Sequence, residues 1–232
     1  MDTIKTLLLT GENNHDWRRT APFLKNLLES SGRFSVTLAE DASAALEEEL
    51  GDYALFFLDY NGPLWSDAAR ANFLQAVNAG AGVTVYHAAN NSFVDWTEYE
   101  KLVGLLWREG TGHGEFHEFG VHITQGNHPI VAGLADFRTE DELYHKLVPM
   151  HGTPVEVLAT AYSDPAKGGS GQDEPMLMTT SYGNGRVFHT ALGHVWAGNP
   201  KGEYRGASLV AIENPMFQKT MLRGCEWAAT GL

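Results

Sequence analysis

Apolar residues run almost unbroken at 4–10 and at 53–59 (YALFFLD), each run too short to be a helix of ordinary length. Short continuous apolar runs bounded by turn residues predict strands buried on both faces. FSVTLA at 34–39 and GVTVYH at 82–87 predict two more strands. Between them the period changes. Phe23, Leu24, Leu27 and Leu28 fall at helical spacing within 20–31, and ASAALEEEL at 42–50 predicts a short helix with an acidic outer face. Asn61-Gly62-Pro63 breaks the third strand, and Ser66 then caps a helix to about residue 79 with Phe73, Leu74 and Val77 inward. Strand and helix alternate, which predicts a parallel sheet with helices on both faces.

The second half is less regular. Residues 96–106 read as helix, 115–124 (EFHEFGVHIT) as an extended segment, and Asn127-His128-Pro129 as a turn. Residues 155–162 and 175–182 read as strands, with KGGSGQDE between them as a surface loop, either a lid or a linker. Tyr182-Gly183-Asn184-Gly185 is a hairpin signal leading into a last strand at 186–191 (RVFHTA). Pro215 opens a final helix at its first position, running to about 229. No repeat and no linker divides the chain, so residues 1–232 are expected to form one domain.

Charge narrows the partners. The 16 Lys and Arg against 29 Asp and Glu, a net charge of -13, exclude the basic stripe that nucleic acid needs and a polybasic contact with a membrane. One cysteine, Cys225, can form neither an internal disulfide nor a thiolate zinc cage. The opening MDTIKTLLLT is too short to span a bilayer and carries no cleavage motif, so it reads as a strand and the expected location is cytoplasmic. An acidic single domain is compatible with a monomer or a homodimer.

In a parallel sheet, ligands bind beyond the carboxyl ends of the strands. The first strand is followed by Asn14, His15, Asp16 and Trp17; the third ends in Asp59, Tyr60 and Asn61. The fourth ends at His87, with Asn90 soon after, and the last carries His189, then His194 and Trp196. Ten histidines are present; His87 and His194 stand at strand ends and are weighed as functional, whereas His113, His122 and His151 are read as turn or surface residues. No HExxH or HxH spacing occurs. A divalent metal such as zinc is a candidate cofactor that distant loops would assemble, with His87, His194 and His117 as candidate ligands. Trp17, Tyr60 and Trp196 beside amides suit a small-molecule sugar, whose apolar face stacks while its hydroxyls bond. Trp65, Trp107 and Trp227 are read as packing. There is no GxGxxG, Walker A loop or GxSxG elbow, which excludes the common nucleotide sites and a Ser-His-Asp hydrolase.

Several segments, taken in order, carry a family resemblance: LLLTGENNHDWRRTAPFL, VTVYHAANNSF with Trp96 and Tyr99, NHPIVAGL, EDELYH, YGNGRVFHTALGH and the closing helix with Glu226-Trp227. In these the chain resembles the ThuA-like (trehalose utilisation) family, of the class I glutamine amidotransferase-like superfamily. The resemblance implies a flavodoxin-like three-layer α/β sandwich with a mostly parallel central sheet. It also marks a departure, because the turn that holds the amidotransferase nucleophile reads Tyr86-His87-Ala88 here, without Cys. Glutaminase chemistry needs a thiolate beside a base and is rejected; His189 matches the late histidine. The family implies disaccharide catabolism, including 3-keto derivatives. A base near pKa 7 could take a proton beside the ketone and expel the glycosidic oxygen. The expectation is His87 and His194 as the central pair with His189 close by. Asp141 and Glu142 are acid or orienting groups, unless EDELYH begins a helix. His15, Asp16, Trp17, Tyr60, Asn61, Asn90 and Trp196 are sugar contacts. A hydrolase with metal-activated water and a non-catalytic sugar-binding or regulatory protein are the competing readings.

Overall fold

The computed structural model describes residues 3–198 and 204–232. Its first half is the predicted alternation: β1 (Ile4–Leu9), α1 (Trp17–Ser30), β2 (Phe34–Ala39), α2 (Ala42–Glu47), β3 (Leu55–Leu58), α3 (Asp67–Ala79) and β4 (Gly82–Tyr86). The Ser66 hydroxyl accepts from the Ala69 N–H and caps α3 as expected. The second half adds α4 (Thr97–Val103), β5 (Leu105–Leu106), β6 (Gly112–His113), β7 (His117–Ile123), β8 (Phe137–Asp141), β9 (Tyr144–His145), β10 (Val148–Pro149), β11 (Glu156–Tyr162), β12 (Asp173–Tyr182), β13 (Gly185–Thr190), α5 (Val210–Glu213) and α6 (Pro215–Thr230).

One nine-stranded sheet runs β2-β1-β3-β4-β13-β12-β11-β7-β8. The five strands from β2 to β13 are mutually parallel, and each later neighbour pairs antiparallel. The continuous apolar runs divide between two cores. Leu55 and Phe57 face α1 and α6, while Phe56 and Leu58 face α2, α3 and α4. Burial on both sides is why these strands lack alternation in the sequence. The result is a flavodoxin-like three-layer sandwich. No helix of the described residues is long and apolar enough to cross a membrane.

Two expectations need correction. The helix at 96–106 stops at Val103, because Gly104 takes φ 77° and Leu105–Leu106 turns away to pair with Val148–Pro149. EDELYH does not begin a helix. Asp141 ends β8, paired with His117 of β7, and Tyr144–His145 pairs with Gly112–His113. The glycine-rich loop is hydrogen-bonded to its neighbours. Lys167 carbonyl accepts from Glu115 N–H at 2.8 Å, and the Ser170 hydroxyl donates to Glu174 at 2.6 Å.

Packing of α6 on the sheet generates a test. Gly224 lies mid-helix, where alanine ordinarily stabilises by about 1 kcal/mol. A Cβ there would sit 2.2 Å from the ring of Phe188, which is fully buried in the sheet. Overpacking of this kind costs about 1–3 kcal/mol and outweighs the propensity gain. Gly224→Ala is therefore expected to lower stability in urea unfolding; an unchanged or raised midpoint would show that α6 sits farther from the sheet.

Candidate functional site

Four chain segments meet above the carboxyl ends of the parallel strands. After β1 the backbone turns at Gly11, φ 103°, where a Cβ would lie 1.7 Å from the Glu40 carbonyl oxygen; only glycine fits this crossing. The chain then reaches His15, which bridges to Trp196 in a single antiparallel pair. After β4, His87 takes φ 42° as the first residue of a 3-10 turn. A non-glycine residue there costs on the order of 1–3 kcal/mol. His87 is held in place by its Nδ1, which donates to the Ala191 carbonyl at 2.7 Å. After β13, Gly193 turns at φ 111° and presents His194. Glu142 follows the end of β8.

Asp141 fixes the last two segments to each other. Its carboxylate accepts from the N–H of Gly193 at 2.7 Å, His194 at 3.0 Å and Glu142 at 2.8 Å. These loops consequently deliver four side chains to one point. His194 Nδ1 lies 3.0 Å from His15 Nε2, 3.3 Å from His87 Nε2 and 3.0 Å from Glu142 Oε2. All four residues are buried. The other Glu142 oxygen is 3.1 Å from His113 Nδ1, and the Tyr144 hydroxyl donates to His87 Nε2 at 2.7 Å. His15 Nδ1 faces Asn14 Oδ1 at 2.9 Å, an oxygen that also accepts from the Asn61 amide.

Burial sets the protonation. Desolvation, with His194 and His113 nearby, lowers His15 to about 3. Desolvation and the two neighbouring imidazoles push His87 well below its ordinary value. Both rings are thus neutral at physiological pH, and His87 is not a base poised near pKa 7. Burial raises Asp141 to about 7 against the backbone N–H groups that favour its charged form. It also lifts Tyr144 well above the usual phenol range, with Glu142 and Asp141 adding to the shift.

Two members of the cluster, His15 and Glu142, line a cleft of about 210 Å³. Trp107, Tyr144 and Trp196 give it flat apolar walls, and Asn14, Asn61 and Asn91 give it amides. Tyr144 stacks on His87 with centroids 4.3 Å apart, and Trp107 meets Tyr144 edge-on at 4.7 Å.

Of the residues expected at the site, His15, His87, Glu142 and His194 form the cluster, while Asn61 and Trp196 line the cleft. Asp141 orients. The others lie elsewhere. His189 is buried in β13 with Asn90 Nδ2 3.3 Å from its Nε2, and burial lowers it to about 3. Asn90 is likewise buried. Asp16 pairs with Arg19, and Trp17 lines a separate depression with Arg18 over its ring. Tyr60 packs against Trp65 and Phe93 in the core, its hydroxyl on the Pro63 carbonyl. His117 Nδ1 bonds the Glu115 carbonyl and stands outside the cluster. Trp107, expected as packing, His113, expected as a turn or surface residue, and Tyr144, which the sequence does not single out, all line the cleft. Cys225 is buried on Thr84, its thiol pushed up to about 12, so no thiolate is offered.

The family model described as "Trehalose utilisation" (ThuA) matches residues 5–228. A ThuA-like protein from Parabacteroides merdae is 36% identical, with a TM-score of 0.87 over 99% of this chain and 91% of that one. A second from Bacteroides uniformis, at 19% identity, has a TM-score of 0.72 over 97% and 91%. A β-galactosidase from Rahnella shares the fold alone, at 16% identity and TM-score 0.54, over 82% of this chain and 29% of that one. No curated protein matches the chain.

A buried aspartate beneath the site gives a test. Asp59 accepts from Asn13 Nδ2 at 3.0 Å and from the Thr20 hydroxyl at 2.6 Å, and Asn13 in turn accepts the His15 N–H. Desolvation raises Asp59 from 3.8 to about 6, so its charge destabilises the fold progressively between these values and fully above the upper one. In Asp59→Asn one oxygen keeps Asn13, and the new NH2 can donate to Thr20, whose hydroxyl is free to turn. The variant is expected to be more stable than the parent at pH 8, by about 2–3 kcal/mol at most, with the gain vanishing below about pH 4. A pH series of urea melts checks this; a loss of stability at pH 8 would contradict it.

Proposed function

Because the chain belongs to the ThuA (trehalose utilisation) family, we propose that it cleaves a small glycoside, a disaccharide or its 3-keto derivative, in the cleft beside the histidine cluster. The observation that carries this reading is a coincidence of chemistries. Aromatic walls and three asparagine amides line the same cleft as His15 and Glu142, two members of a buried cluster of three imidazoles and a carboxyl group. Sugar recognition needs the first set, and a binding protein has no use for the second. The cleft, about 210 Å³, is smaller than the roughly 300–1,000 Å³ typical of drug-sized ligands, so it takes one sugar ring and leaves the other toward solvent.

A ketone at C3 acidifies the C2 hydrogen. A base removes that proton, a C1–C2 double bond forms as the C1–O bond breaks, and the leaving oxygen takes a proton. Water then adds across the double bond, and the net reaction is hydrolysis. His113 suits the base role better than His87. Its Nδ1 faces two acceptors, the Gly114 carbonyl at 2.8 Å and Glu142 at 3.1 Å, so the proton sits on Nδ1 and Nε2 keeps the lone pair. Its ring is 44% exposed, within reach of a ligand. The carboxylate behind it stabilises the imidazolium that forms, the role an aspartate has behind a catalytic histidine.

Incubation with trehalose and with 3-keto-trehalose in D2O, followed by NMR, tests the reading. Loss of the keto-sugar with deuterium appearing at C2 is expected. His113→Gln is expected to slow it by about 10²–10⁴-fold, and Trp107→Ala to weaken binding with less effect on the rate. Binding of either sugar without turnover would replace the enzyme by a binding protein; neither binding nor turnover would overturn the carbohydrate assignment.

A further inference from the structure

The hydrogen-bond count at the cluster does not close with protons alone. The Ala191 carbonyl can only accept, so His87 carries its proton on Nδ1 and presents a lone pair at Nε2. Asn14 Oδ1 likewise places the His15 proton on Nδ1 and leaves a lone pair at Nε2. Both lone pairs and the Glu142 oxygen converge on His194 Nδ1, at 3.0–3.3 Å. That nitrogen holds at most one proton. The Tyr144 hydroxyl supplies one more, to His87. Either His15 Nε2 or Glu142 Oε2 is then left facing an atom that cannot satisfy it, in a buried place where such a deficit costs about 1–3 kcal/mol.

A cation removes the deficit. We propose that His15 Nε2, His87 Nε2, His194 Nδ1 and Glu142 Oε2 are the ligands of one first-row divalent transition-metal ion of the zinc class. One ligand atom from each of the four residues lies within 4.8 Å of the others. Two ligands 2.0–2.1 Å from zinc are separated by about 3.3 Å across a tetrahedron and about 3.0 Å when adjacent in an octahedron; the His194 separations, 3.0 and 3.3 Å, match these edges. Three imidazoles exclude magnesium and calcium, which take oxygen ligands. The surroundings have the form a metal's outer shell takes, with ligand rings held by their opposite N–H. His15 donates to an amide oxygen, His87 to a carbonyl, and the spare Glu142 oxygen faces His113. His194 Nε2 has no hydrogen-bond partner among the described residues.

The inference rests on the reading of this cluster as the functional centre and deepens it. A cluster of lone pairs cannot stabilise the enolate of a keto-sugar, whereas a cation beside the Tyr144 hydroxyl can accept that oxygen. The ion is then a Lewis acid, and the ligands of the class it selects are sugars with a carbonyl or vicinal hydroxyls.

The test uses the purified full chain. Metal content is measured first; the protein is then stripped with a chelator and titrated with zinc by calorimetry, and cobalt is added to follow its visible absorption. One zinc per chain, a melting temperature that rises with zinc concentration, and cobalt bands are expected. His15→Gln and Glu142→Gln should each lower zinc affinity by more than about 100-fold, and His113→Gln, outside the ligand set, by about 10–100-fold. His117→Gln should leave it unchanged. Circular dichroism establishes that each variant is folded, and the wild-type stoichiometry and cobalt spectrum need no variant. No saturable binding in the wild type, or binding unchanged in folded His15→Gln, would overturn the metal site. Stoichiometric zinc without sugar binding or turnover would leave the site standing and overturn the carbohydrate reading alone. Turnover by metal-free protein would leave the carbohydrate reading standing and overturn the Lewis-acid role of the ion.

Discussion

Holding four polar side chains against one buried point is the constraint on which the rest of this molecule depends. None of the four stays there by its own packing. His87 sits in a backbone conformation that L-residues avoid, and the Ala191 carbonyl keeps its ring turned inward. Asn14 and Asn61 orient His15, while Asp59 reaches its backbone through Asn13. Asp141 accepts three backbone N–H groups and so locks the loop bearing His194 to the strand bearing Glu142. Asp59 and Asp141 are fully buried, Asn13 and Asn61 are partly buried, and Asn14 is exposed at the rim. A second layer of this kind is stabilising only when complete, which explains why so much of the rim is hydrogen-bonded to fixed backbone.

The fold supplies the point, and the side chains placed around it set the chemistry it can offer. The turn after β4 is sharp and strained, the setting in which a nucleophile is often displayed. Here it displays an imidazole that burial keeps neutral, and the chain's one thiol is buried in α6 and held protonated. A fold in this state can serve many reactions, and the site alone decides between them. His15 and His87 turn a lone pair toward the buried cluster, and His113 is the more exposed ring at the wall.

The parallel half of the sandwich was legible because its strands are buried on both faces and its helices are amphipathic. Both patterns survive in a short window of sequence. The rule that ligands gather at carboxyl strand ends also located His15, His87 and His194. Residues adjacent to these were harder to place. Trp17 opens α1, and the helical turn swings it to another surface. Tyr60 follows β3 but packs inward on Trp65. His189 lies within β13, under the rim rather than on it. Trp107, His113 and Tyr144 sit in or beside two-residue ladders, which are too short to show any period. Their approach to the cleft follows from long-range pairing of β6 with β9 and of β5 with β10. The only local signal was the run of aromatic and charged residues in EDELYH, which fitted a helix start equally well.

The central claim is that sugar enters the cleft above this cluster. The indole N–H signals of the six tryptophans offer the most direct measurement, because only Trp107 and Trp196 line that cleft. In ¹⁵N-labelled protein titrated with trehalose or its 3-keto derivative, those two signals should shift together and saturate while Trp17, Trp65, Trp96 and Trp227 stay in place. A shift confined to Trp17, or no shift at any indole at saturating sugar, would contradict the account.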